Sequence, residues 1–267
     1  MTALPRQIAT VAAVMFALAA PASQAITGWG LTAAEFSSSG DGTLRAAGYA
    51  FSIWGVIYAG LIAYGVFQAA PRHADRPLLA LVGWPAVVAI AGCGAWICAA
   101  GLDARWATVA IITLSAATLT AGLMWAVGRV GGLEVKDRMF VLWPLSLLAG
   151  WLTIAAAINI LTVLTAEGLL QGATKGAAFA GVLAVLIVAL GVLRSRRMAV
   201  YGVPVAWGLV AVWVAERATK GDVAALALGA AVVVGAYAAW QFFSLPEGDR
   251  ARSGQGGETS GKLRAPS

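Results

Sequence analysis

The residues best suited to holding another molecule are aromatic. The stretch "FSIWGVIY" places Trp54 and Tyr58 four residues apart. Four residues make about one helical turn, so both rings lie on one face. Trp96 sits in "GCGAWICAAG", and "WPLSLLAGWLTIAAAIN" carries Trp151 and, eight residues on, Asn159. That spacing turns a helix about 80° past two full turns and climbs about 12 Å, so Trp151 and Asn159 share one broad face at two depths. Small residues between them, Ala155 to Ala157, leave room for a ligand or for a close helix. Large flat rings inside a bundle line slots for flat apolar ligands, and they also pack helix on helix with no ligand present. The residues alone leave both readings open. Binding is the chemistry on offer: ring stacking, apolar burial and an amide hydrogen bond.

Conventional catalysis has little to work with. An ionisable side chain inside a membrane marks a relay, an ion path or a catalytic centre. Here Asp103, Glu167, Glu216 and Asp222 fall at span ends or in short loops. His73, the single histidine, stands between basic residues in "APRHADRP" and reads as a solvated loop residue rather than a haem or zinc ligand. Cys93 and Cys98 point roughly 140° apart on a helix, which suits neither a disulfide nor a shared metal, and they read as buried small apolar residues. No intramembrane acid or base is placed to activate a Ser or Thr. No catalytic or metal-binding residue is expected, although chemistry by a bound cofactor stays open.

The elements that must position these residues follow from composition. The chain of 267 residues is 60% hydrophobic and 11% charged. Soluble domains carry about 25% charged residues, so this chain has too little charge to cover a water-facing surface. An all-α, polytopic bundle of transmembrane helices is expected. Spans need about 20 mostly apolar residues, and eight candidates stand at 7–26, 49–69, 78–100, 106–128, 140–164, 175–193, 199–215 and 223–243. The seventh is short and contains Pro204, which a membrane helix tolerates. The first has a rival reading as a signal peptide, with Arg6 ahead of the apolar run and Pro21 to Ala25 as the cleavage region. Cleavage would leave seven spans in the same orientation.

Lysine and arginine set the expected orientation. With the N-terminus inside, 13 of the 18 fall on inside segments and five (Arg45, Arg105, Lys175, Arg217 and Lys220) outside. Positive loops stay cytoplasmic, so both termini are expected there. The same rule accounts for the net charge of +6, and no aromatic-interleaved basic patch suggests nucleic acid. From Leu245 onward the chain is polar and rich in Gly and Ser, as a disordered tail is.

In these residues the chain resembles the TspO/MBR family, the tryptophan-rich sensory proteins related to the translocator protein. "YAFSIWGVIYAGL" is similar to that family's second helix, "GCGAWICAAG" to its third and "WPLSLLAGWLTIAAAIN" to its fifth. The likeness covers about 49–160 and fits the longer bacterial members, which add helices after a shared five. It implies a five-helix core over 1–165, three additional helices over 166–243 and a polar cytoplasmic tail over 244–267. It further implies a hydrophobic cavity for a porphyrin, a sterol-like lipid or a similar molecule, with pocket roles for Trp54, Tyr58, Trp96, Trp151 and Asn159. Cys93 stands where the family's third helix has an Asn, and Ala46 and Ala47 stand where the family prefers proline, so a less rigid loop is expected there.

The expected protein is a sensor or carrier in the bacterial inner membrane. A secondary transporter and a porphyrin-degrading enzyme are the alternatives. No cofactor is required; a porphyrin- or haem-type molecule would be a ligand. Expected partners are a hydrophobic small molecule and the lipid bilayer, with a homodimer as a further option. The three added helices are expected to brace the core or to form an oligomer contact, and to stay clear of the pocket.

Overall fold

The computed structural model describes residues 3–40 and 42–244. The tail expected beyond them, 245–267, lies outside the described residues. All regular structure described is helical. The helices are α1 (Leu4–Thr27), α2 (Ala33–Ser38), α3 (Ile53–Ala69), α4 (Pro77–Gly101), α5 (Arg105–Val127), α6 (Val135–Asp137), α7 (Trp143–Ala166), α8 (Thr174–Ser195), α9 (Ala199–Glu216) and α10 (Gly221–Phe243). A 3-10 turn, Gly48–Ser52, leads into α3, and a π-helical turn, Arg138–Leu142, joins α6 to α7. Pro144 follows that turn. A proline has no N–H to give to the preceding turn, so the ladder widens ahead of it.

Among the described residues eight helical segments are long and apolar enough to cross a membrane, and they fall on the eight expected runs. The largest difference is in the fifth, which extends over 32 residues, Val135–Ala166, because α6 and the π-helical turn continue it backwards. The seventh holds as 18 residues, Ala199–Glu216, with Pro204 inside it.

The spans close into two rings that share one helix. Helices α1, α3, α7, α5 and α4 each touch the next, and α4 returns to α1. Helices α7, α9, α10 and α8 form the second ring. Membership of both explains why α7 is the most buried span, with Leu145, Leu148, Ala149 and Ile154 at 1% exposure or less. Small residues permit the close crossings. A methyl on Gly150 would overlap the Tyr201 carbonyl of α9, and one on Gly208 would meet Ile154 of α7.

One end of the bundle is tied by cations. Arg76 pairs with Asp137 at 2.8 Å and Glu134 at 3.1 Å, which joins the α3–α4 loop to the α5–α7 connection. Arg196 donates to the Met124 carbonyl at the end of α5 at 2.8 Å. His73 corrects the expectation of a solvated loop residue. It is buried, its ring lies 3.9 Å from Phe67 in a stack, and Nδ1 sits 2.7 Å from the Phe67 carbonyl. A carbonyl in the last turn of α3 has no helical partner, and the imidazole supplies one. Cys93 and Cys98 are both free thiols; Cys93 is buried as expected, while Cys98 is only partly buried.

The other tryptophans divide into two groups. Trp84, Trp106, Trp125 and Trp240 are each about half exposed on the outside of the bundle. Trp29 instead packs on Gly101, and Trp143 against Phe242.

Candidate functional site

The five-helix ring encloses a cavity of about 830 Å³. All five residues singled out from the sequence line it: Trp54 and Tyr58 from α3, Trp96 from α4, Trp151 and Asn159 from α7. The ring faces are already in mutual contact. Trp54 and Tyr58 stack at 5.1 Å, which the one-turn spacing anticipates. Trp151 meets Trp54 edge-on at 6.3 Å and Phe51 at 6.5 Å. Trp96 meets Phe36 edge-on at 5.8 Å. The aromatic wall is therefore braced before any ligand arrives, and its open faces border the cavity.

Asn159 has a structural job. The indole N–H of Trp96 donates to its Oδ1 at 3.2 Å, and its Nδ2 donates to the Thr108 hydroxyl at 3.0 Å. The side chain thus ties α4, α5 and α7 across the ring. Interhelical hydrogen bonds in membranes are worth about 0.6 kcal/mol, at most about 1.7. Asn159→Leu should therefore lower the melting temperature in detergent by a few degrees, with ligand affinity falling only as the ring loosens. An unchanged melting temperature in a folded Asn159→Leu variant would show that the tie contributes nothing. Cys93, at the place of the family's helix-three Asn, gives its thiol to the Ala89 carbonyl of its own helix and leaves that wall apolar.

The long loop between α1 and α3 forms the roof. Thr32 caps α2: the Glu35 amide donates to its hydroxyl at 3.2 Å, while its own amide and hydroxyl donate to the Glu35 carboxylate. Those two donors hold the Glu35 carboxyl below its ordinary range. A folded value under the unfolded one means that the contact supports α2 at neutral pH and is lost as pH falls through the folded value. Phe36 points inward and is 1% exposed. Gly30, at φ +65°, and Gly40 sit so close to Gly101 and Thr162 that neither has room for a side chain.

Helix α9 fastens the other end of this roof. The Glu216 carboxylate, fully buried, accepts the Arg45 amide at 3.0 Å and the Lys220 ammonium at 3.2 Å. Lys220 also donates to the Thr43 carbonyl at 2.7 Å, Ala47 N–H to the Ala211 carbonyl at 3.0 Å and the Trp207 indole to the Ala50 carbonyl at 3.1 Å. Gly208, Val214 and Ala215 of α9 line the cavity. This corrects the expectation that residues 175–243 stay clear of the pocket. They brace the core, and they also supply part of its wall. The loop that lacks the family's prolines is held by bonds to α9 instead. Span counting along the sequence puts Arg45 and Glu216 at the same end of the bundle. Their pairing across 171 residues was beyond it.

Among the described residues no carboxylate or histidine lines the cavity, and no cluster of His, Cys, Asp or Glu has the arrangement to hold a metal ion. The arrangement can enclose a largely apolar molecule, stack against it and offer scattered polar groups such as Gln24, Thr162 and Arg45 near the roof.

A family model described as TSPO-like protein matches residues 7–240. The match runs from α1 into α10 and so spans both rings. No curated protein and no solved structure matches the chain.

Proposed function

The chain belongs to the TSPO-like protein family, and from that premise we propose that it is an integral membrane protein that binds a flat hydrophobic molecule, of porphyrin or sterol type, as a sensor or carrier. The observation that carries this reading is the roofed cavity of about 830 Å³ walled by Trp54, Tyr58, Trp96 and Trp151. Small-molecule sites are of about 300–1,000 Å³, mostly apolar, with a few placed polar groups. The ligand lies between α3 and α7, against the open faces of Trp54 and Trp151. Arg45 at the roof suits an acidic rim such as a porphyrin carboxylate. Binding rather than catalysis is supported by the lack of a carboxylate or histidine among the described lining residues. The end bearing Arg76, Arg129, Arg138 and Arg196 faces the cytoplasm of a bacterial inner membrane, by the rule that positive loops stay inside, and the roof faces the other side.

Titration of protoporphyrin against tryptophan fluorescence tests the site. Loss of a stacked ring costs about 0.5–1.5 kcal/mol beyond burial. At about 1.4 kcal/mol per tenfold, Trp151→Phe should weaken porphyrin binding a few-fold to about tenfold. Equal affinity in the folded variant would place the ligand elsewhere.

A further inference from the structure

A second cavity lies at the opposite end of the molecule from the roof, between the end of α5, the π-helical turn, the start of α7, the start of α9 and the end of α10. It measures about 540 Å³. Arg138 and Arg197 line it, and no acidic side chain does among the described residues. Among the described residues neither arginine has a carboxylate partner. Arg138 Nε donates to the Leu133 carbonyl at 3.3 Å, and Arg197 reaches only the Ser244 carbonyl at 3.5 Å.

Two buried polar atoms on the same wall are unsatisfied. The Ser146 hydroxyl is fully buried and has no hydrogen-bond partner among the described residues. Gln241 is 9% exposed; its amide nitrogen is taken by the Leu193 carbonyl, while its Oε1 has no partner. A buried polar atom left unpaired costs about 1–3 kcal/mol, so two converging on one cavity call for a ligand that satisfies both. The demand is specific. Two guanidiniums and a hydroxyl ask for an anion with several acceptor oxygens, and Gln241 Oε1 asks for a donor. A phosphodiester bearing a hydroxylated substituent supplies both. The rest of the wall, Val130, Leu142 and Phe242 among it, is apolar and suits a hydrocarbon chain.

We propose that this cavity is a binding site for an anionic glycerophospholipid of phosphatidylglycerol type. The phosphate sits between Arg138 and Arg197 and accepts from Ser146, a headgroup hydroxyl donates to Gln241 Oε1, and the acyl chain lies along the apolar wall. Basic pockets between membrane helices take anionic headgroups by this combination of charge and position. The phosphate and hydroxyl would equally suit a soluble phosphate ester; the apolar wall and the location at a span end favour the lipid.

Delipidated protein in detergent, melted with added phosphatidylglycerol, phosphatidylcholine or soluble glycerol phosphate, tests this. Phosphatidylglycerol should stabilise at far lower concentration than phosphatidylcholine, which has neither net charge nor a donor, and glycerol phosphate should do little. At about fivefold per arginine facing an anionic lipid, Arg138→Gln with Arg197→Gln should weaken the phosphatidylglycerol effect by roughly 25-fold. Ser146→Ala should weaken it a few-fold and leave the lipid-free melting temperature unchanged or higher, since its hydroxyl has no protein partner to lose. Arg194→Gln, at the same end but outside the cavity, should keep the full effect. Equal stabilisation by the two lipids would overturn the proposal, as would equal loss in Arg194→Gln, which would mean attraction to the basic end in general. A glycerol phosphate effect matching that of the lipid would overturn the lipid in favour of a soluble ester.

Discussion

Gly150→Ala should force α7 and α9 apart and lower the melting temperature in detergent by about 6–12 °C. The added methyl would overlap a backbone atom, the Tyr201 carbonyl oxygen, and crowd the Pro204 ring behind it. A flexible side chain could swing aside; a backbone carbonyl and a proline cannot. Overpacking a close-packed interior costs about 1–3 kcal/mol, and rigid obstacles put this site at the top of that range. About 2–4 °C per kcal/mol converts the cost for a chain of this size. The crossing also carries Gly208 against Ile154, so the disturbance reaches the cavity wall and ligand affinity should fall with stability. Gly229→Ala in α10, where an added methyl meets nothing within 4 Å, is the comparison. It should be neutral or slightly stabilising, because alanine is the better helix former by about 1 kcal/mol. Equal melting temperatures for Gly150→Ala and wild type would mean that α7 and α9 do not cross here.

Glu216→Ala should unfasten the roof. The variant leaves the Arg45 amide without its acceptor and removes the anion that holds Lys220 beside Thr43. Hydrogen bonds to charged groups are worth about 1.5–3 kcal/mol each. The arginine and lysine are partly exposed, at 39% and 20%, so water screens and rehydrates them and the loss is nearer 1–3 kcal/mol in total. Much of that cost falls on the closed position of the loop rather than on the spans. At about 1.4 kcal/mol per tenfold, a ligand in the cavity should leave roughly fivefold to a hundredfold faster, and protease should cut within 28–47 more readily. Glu216→Gln keeps an acceptor for the Arg45 amide and should fall between. Unaltered release and proteolysis in Glu216→Ala would show that the contacts of Ala47 and Trp207 with α9 hold the roof without the carboxylate.

What the sequence made legible was whatever repeats within one helix. Apolar runs gave the spans to within a few residues, apart from the backward extension of the fifth. One-turn spacing put Trp54 on Tyr58, and two turns put Trp151 and Asn159 on one wall. Contacts made between helices were not legible, because a side chain's partner there depends on how two surfaces meet. The periodicity of α7 says that Asn159 faces inward and does not say that Trp96 and Thr108 are waiting for its amide. His73, flanked by charge, looked like a loop residue, yet its ring stacks on Phe67 and answers an orphan carbonyl. Helix α9 was expected only to brace the core or to form an oligomer contact, and nothing in its own sequence marks Gly208 as the residue at the crossing or the wall it gives the cavity. Glu216 looked like a span terminus, and its burial follows only once the loop from the first third of the chain lies across it.

The roof's fastenings have a consequence for the protein's birth. Arg45 and Glu216 are separated by 171 residues, Thr43 and Lys220 by 177, and Ala50 and Trp207 by 157. Ribosomes add about 5–20 residues per second, so the loop leaves the ribosome roughly 9–35 s before the helix that clasps it. The five-helix ring can assemble first, with the α2 part of the roof packed on α4 and α7 and the part from Thr43 to Ala50 still unfastened. Closure is then one of the last events of synthesis, timed by the arrival of α9, and a nascent chain stalled after α8 would hold the cavity open to whatever the membrane contains.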